Sequence, residues 1–216
     1  MKTLILVGLV FLASLHVGAW AEGETPEGET PDEVLGYLTP ENMGKLETGK
    51  LIIFKEQKKN AKGKSKGMGM AIGLIDRPVD TVWAVIQDPS SKPKDSPQTV
   101  LSETYTNSEG QKGVHEVIKV LWKKVEYHVL QDWDNANYTV SWALDNAKKN
   151  DIADTTGYWR FIPHTETQCI GVYAVRVDTG MKVPAFLEDF LVRQDLPNAF
   201  KSVKKRAESD ETREKS

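Results

Sequence analysis

Asn137-Tyr138-Thr139-Val140-Ser141-Trp142-Ala143-Leu144-Asp145 is the stretch that decides the fold class. Val140, Trp142 and Leu144 alternate with Thr139, Ser141 and Asp145. Successive side chains of an extended chain point to opposite faces, so this run reads as a strand with one apolar and one wetted face. The same rule puts Val125, Tyr127, Val129 and Trp133 on one face of the preceding segment, and Ile118, Val120 and Trp122 on one face of the segment before that. Followed in both directions, the pattern predicts strands over about Thr99–Thr106, Gly113–Trp122, Val125–Trp133, Tyr138–Leu144, Asp154–Ile162 and Gln168–Asp178, separated by turn signals. Strands joined by short turns make an antiparallel meander.

Upstream, Leu51-Ile52-Ile53-Phe54 reads as a strand and Met68 to Ile75 as extended chain. Between them, Lys55 to Lys66 carries six Lys in twelve residues. This run reads as a solvated hairpin loop, with peripheral docking on anionic membrane as the sharper alternative. Val79, Val82, Trp83 and Ile86 fall at helical spacing, with Pro78 before them and Asp88-Pro89 after, which predicts a helix. The Pro- and Ser-rich stretch to Pro97 is too broken for more than one turn. Thr39-Pro40-Glu41-Asn42 offers an N-cap and a Pro at the first helical position, so a short helix starts there. After Gly180 the chain turns helical from about Pro184 to Arg206, with Phe186, Phe190, Pro197 and Phe200 on one face and a kink or restart near Asp195.

At the start, a basic residue, an apolar run from Leu4 to about Trp20 and Ala19-Trp20-Ala21 read as a secretory signal peptide cleaved near Ala21. The expected location is therefore periplasmic or secreted. Residues 22–33 repeat Glu-Gly-Glu-Thr-Pro twice and read as a disordered acidic linker. The folded domain is expected over 34–208, followed by a charged tail over 209–216. The net charge of −3 over 216 residues argues against a nucleic-acid partner. The single cysteine, Cys169, opens an apolar strand and reads as a buried structural thiol.

The order strand, short helices, meander and long closing helix describes a curved sheet wrapped round a helix. The passages Gly67-Met68-Gly69-Met70-Ala71, Asp76-Arg77-Pro78-Val79-Asp80-Thr81-Val82-Trp83-Ala84-Val85, Asp154-Thr155-Thr156-Gly157-Tyr158-Trp159-Arg160-Phe161 and Asp178-Thr179-Gly180-Met181-Lys182-Val183-Pro184 resemble bacterial START/polyketide-cyclase-like domains. These are the SRPBCC, Bet v1-like or coenzyme Q-binding-type domains. The resemblance spans about residues 48–207 and implies an α+β helix-grip fold. It also implies a cavity between the sheet and the C-terminal helix for a lipid, sterol, quinone or polyketide. The lining would come from Ile118, Trp122, Tyr127, Val129, Val140, Trp142, Trp159, Phe161, Tyr173, Phe186 and Phe190. Large side chains at these positions can equally fill the space as core.

Chemistry-bearing residues are sparse. By strand alternation His115 and His128 point away from the inward set, and His164 follows Pro163 in a predicted turn. His115-Glu116 lacks a second His at helical spacing, so no metal site is expected, and no cofactor is implied. Glu116 falls on the inward face with Ile118. A carboxylate there needs a partner or a raised pKa, unless the sheet ends in water at that point. No phosphate loop, nucleophile elbow or separated carboxylate pair appears. The leading expectation is an exported binding or carrier protein for an apolar ligand. A cyclase/aromatase-type enzyme and a cavity-less module docking on membrane or protein are the alternatives.

Overall fold

The computed structural model describes residues 33–59, 65–92, 96, 98–120, 122–180 and 196–209. Eight antiparallel strands form one sheet: β1 (Ile52–Lys59), β2 (Ser65–Ile75), β3 (Thr99–Thr106), β4 (Lys112–Val120), β5 (Lys123–Asp134), β6 (Thr139–Leu144), β7 (Asp154–Thr165) and β8 (Gln168–Asp178). Their order is β1-β2-β8-β7-β6-β5-β4-β3. The expected meander is therefore present from β3 to β8, and the β1–β2 hairpin extends it on the far side of β8.

Three boundaries differ from the sequence reading. Pairing of β1 with β2 runs out to Lys59 and Ser65, so most of the Lys-rich stretch is strand and only residues 60–64 lie outside the description. Cross-strand backbone bonding extends the ladder beyond the apolar residues, and lysines on an edge strand discourage pairing with another chain. At the other end of the sheet, β4 stops at Val120, and His164 lies within β7 rather than in a turn.

The concave face is held by helix α3 (Leu196–Glu208), which lies across β2 and β8, and by α2 (Val79–Ile86), which packs on α3 and β7. Phe200 is fully buried and rests where β2 and β8 carry glycine. A Cβ at Gly73 would lie 2.6 Å from the Phe200 ring and 2.4 Å from Leu51, so the helix approaches the sheet only because that side chain is missing. Helix α2 buries Val79, Val82 and Trp83 against this face, and the Trp83 ring lies among aromatic neighbours. Trp83 makes edge contacts with Trp133 at 5.2 Å, Tyr138 at 6.0 Å and Phe161 at 6.3 Å, and its indole N–H donates to Asn135 Oδ1 at 3.1 Å.

The convex face has its own apolar layer. Met70, Ile72, Leu74, Tyr158, Ile170, Val172 and Ala174 lie beneath Val34 and Leu46. These two come from the 3-10 turn Glu33–Tyr37 and from α1 (Pro40–Glu47), whose predicted N-cap Thr39 accepts from the Asn42 amide at 3.2 Å. Cys169 is buried as expected, and burial pushes its thiol up to about 12.

Candidate functional site

Glu116 stands at the centre of three neighbouring strands. Register pairs it with Ser102 of β3 on one side and Tyr127 of β5 on the other, all on the concave face. Its exposure is 8 %. Lys92, which directly follows the 3-10 turn Pro89–Ser91, forms an ion pair and hydrogen bond with Glu116 Oε1. Tyr127 donates its hydroxyl to Glu116 Oε2 at 2.5 Å, and Ser102 donates to Oε1 at 3.4 Å. Burial pushes the Glu116 carboxyl up most strongly. The Lys92 ammonium and the three hydrogen bonds together outweigh it and hold the group below the ordinary glutamate value. Glu116 is thus a buried, ionised carboxylate satisfied by its neighbours.

An aromatic ladder runs along the rest of the concave face. Phe161 stacks on Trp159 at 5.6 Å, Trp159 on Tyr173 at 4.5 Å, and Tyr173 on Trp142 at 5.9 Å. Phe161 and Trp159 are buried beneath α2 and α3, whereas Tyr173 and Trp142 are only half-buried. Val175, Tyr127, Val125 and Ile118 are half-buried on the same face. The concave surface is therefore closed by packing at the α2/α3 end, while Trp142, Tyr173, Val175, Tyr127, Val125 and Ile118 stay half-buried around a Glu116 that is itself buried.

The structure divides the expected lining. Glu116, Ile118, Tyr127, Val129, Val140, Trp142, Trp159, Phe161 and Tyr173 share the concave face, as strand alternation requires. Val140, Trp159 and Phe161 belong to the packed core, and Val129 is also buried. Trp122 is a correction: it lies in the turn after β4 and is 86 % exposed, because the ladder with β5 ends at Val120 and alternation has no meaning beyond it. Phe186 and Phe190 lie outside the described residues.

Sequence reading also missed partners. Gln131 sits opposite Trp142 on the concave face, and the same period of two marks it. Ser102 follows from the β3–β4 register. Lys92 carried no periodic signal: its backbone is helical, but it sits among Pro and Ser residues with no apolar repeat around it.

This arrangement can solvate the polar end of a ligand whose body lies against aromatic and aliphatic side chains. It is poorly suited to general acid catalysis, which calls for a carboxyl held protonated near neutral pH. Removing Lys92 isolates the carboxylate. Lys92→Met is expected to lower stability at neutral pH by about 2 kcal/mol. That is below the figure for a fully enclosed pair, because 37 % of the Lys92 side chain is exposed. The folded-state pKa of Glu116 is depressed, so the stability it confers is present above its ordinary value of 4.5 and lost as pH falls through the lowered value. The difference between wild type and variant should therefore shrink below that pH, as measured by denaturant unfolding across a pH series.

Similar proteins agree with this architecture. The Zhui aromatase/cyclase from Streptomyces sp. R1128 is 14 % identical, with a TM-score of 0.56 over 74 % of this chain and 94 % of its own. A START superfamily protein from Mycobacterium smegmatis is 12 % identical, with a TM-score of 0.56 over 65 % of this chain and 97 % of its own. A STAR-related lipid transfer protein from Xanthomonas axonopodis is 14 % identical, with a TM-score of 0.52 over 72 % and 99 %. At these identities the likeness establishes the helix-grip fold. No curated protein matches the chain in sequence. Residues 75–204, which run from the end of β2 through the whole meander and into α3, match the family described as polyketide cyclase/dehydrase and lipid transport, and the chain belongs to that family.

Proposed function

We propose that the protein is an exported carrier that holds a lipid or another hydrophobic small molecule, such as a sterol or quinone, between the sheet and the C-terminal helix. The observation that carries this reading is the concave face itself: half-buried Trp142, Tyr173, Val175 and Ile118 leading to one ionised, hydrogen-bonded carboxylate. Affinity would come from apolar burial at about 25 cal/mol per Å², with Glu116 and Lys92 orienting the polar end. The signal-like segment ending near Ala21 supports export. The Lys55–Lys66 run, whose flanks are the paired ends of β1 and β2, supports peripheral contact with anionic membrane during loading.

A cyclase of the same fold is the second reading, and the ionised state of Glu116 weighs against it. Native mass spectrometry with lipid extraction, on protein purified from its own cell envelope, tests the proposal. A stoichiometric apolar ligand is expected, with uptake from anionic vesicles weakening as salt rises. Glu116→Gln should reduce uptake about tenfold, the loss of one charge-assisted interaction. A clean apo mass with no uptake from a lipid panel would overturn the carrier reading.

A further inference from the structure

The convex face of β4 and β5 carries a cluster that has no part in the concave site. His115 and His128 are cross-strand partners, their rings stacked at 4.3 Å between centroids and 5° between planes. Glu126 lies two residues before His128 and so shares its face. Its Oε1 stands 2.8 Å from His115 Nε2. One ligand atom from each of these three residues lies within 4.8 Å of the other two.

The loop behind the cluster sets the tautomer of His128. Asn150 Nδ2 donates to the carbonyls of Asp145 at 2.9 Å and Lys148 at 3.2 Å, which fixes its amide orientation. Asn150 Oδ1 accepts the His128 backbone N–H at 2.7 Å and stands 3.3 Å from His128 Nδ1. An acceptor there requires the hydrogen on Nδ1, which leaves the lone pair on Nε2. The loop is anchored in turn by buried Asp145, which accepts from the Tyr105 hydroxyl at 2.6 Å. A histidine whose far nitrogen is held by a fixed acceptor is the arrangement that supports metal ligation.

We propose that His115, Glu126 and His128 form a binding site for a divalent transition metal of the zinc type, with water in the remaining position. Two imidazoles and a carboxylate suit zinc, copper or nickel and suit magnesium or calcium poorly. Tetrahedral ligation at about 2.1 Å needs ligand atoms roughly 3.4 Å apart with each ring's in-plane lone pair aimed at the ion, so partly exposed His115 rotates out of its parallel stack on His128 and exposed Glu126 changes rotamer to complete the site. Glu103, the cross-strand partner of His115 on β3, adds negative charge on the same face. The pair escapes sequence inspection because the β4–β5 register, not helical spacing, brings it together.

Calorimetric titration of zinc chloride into the full chain, freed of metal by chelation, tests the site. A single saturable equivalent is expected, with no heat from magnesium chloride. His115→Gln and His128→Gln should each weaken binding by more than about tenfold, and Asn150→Ala by about tenfold. Histidine ¹⁵N shifts should place zinc on Nε2 of His128, with circular dichroism confirming that each variant is folded. Absence of saturable binding, zinc on Nδ1 of His128, or binding unchanged in the double His variant would overturn the proposal.

Discussion

Phe200→Ala is expected to lower the unfolding free energy by about 4 kcal/mol, the range for removing a large, fully enclosed aromatic ring. The ring is completely buried and lies 5.9 Å from Trp159. It occupies the space left by Gly73 and Gly171, where added Cβ atoms would approach it to 2.6 and 3.1 Å. Neither glycine carries a side chain that could fold into the vacated volume, so the site collapses poorly and a cavity remains. Phe200→Leu should cost about half as much, since it keeps most of the volume. Thermal and denaturant unfolding check both variants. A loss below about 1 kcal/mol for Ala would show that α3 is not seated by this ring.

Arg206→Met is the second large effect, expected to cost about 3 kcal/mol. Sequence reading places Arg206 merely at the end of a helix, but the structure buries it at 8 % exposure. Its Nη2 donates to the carbonyl of Val85 at 2.6 Å and to that of Asp88 at 2.7 Å. Val85 lies in the last turn of α2, where its carbonyl also accepts the Asp88 N–H at 3.3 Å and a cation is favoured by the helix dipole. Asp88 opens the 3-10 turn that ends beside Lys92. Arg206 therefore fixes the segment that delivers the Glu116 counter-ion, acting from α3 through the backbone of residues 85–88. The variant should raise the Glu116 pKa as well as reduce stability, read by a carboxyl NMR titration. A stability loss with an unmoved Glu116 titration would show that Lys92 is positioned by other contacts.

Local pattern made much of this legible. The period of two in residues 99–178 gave the strands of the meander and their apolar faces, and it put Glu116 inward and His115 and His128 outward. Helical spacing of Val79, Val82 and Trp83 gave α2, and the buried Phe200 lies on the predicted apolar face of the closing helix. Each of these depends only on how side chains alternate along a regular backbone, so the residues themselves carry the information.

Tertiary structure decided what depends on chain segments meeting. Trp122 belongs to a turn because β4 and β5 stop pairing at Val120. The Lys-rich stretch is largely strand because β2 supplies backbone partners for β1 out to Lys59. The Glu116 carboxyl is held below the ordinary glutamate value because the short helical segment after α2, pinned by Arg206, brings Lys92 to it from 24 residues away. His115, Glu126 and His128 cluster through the register of a single hairpin. Alternation encodes which face a residue occupies; partner, burial and protonation state follow from register and crossing, which many distant contacts settle together.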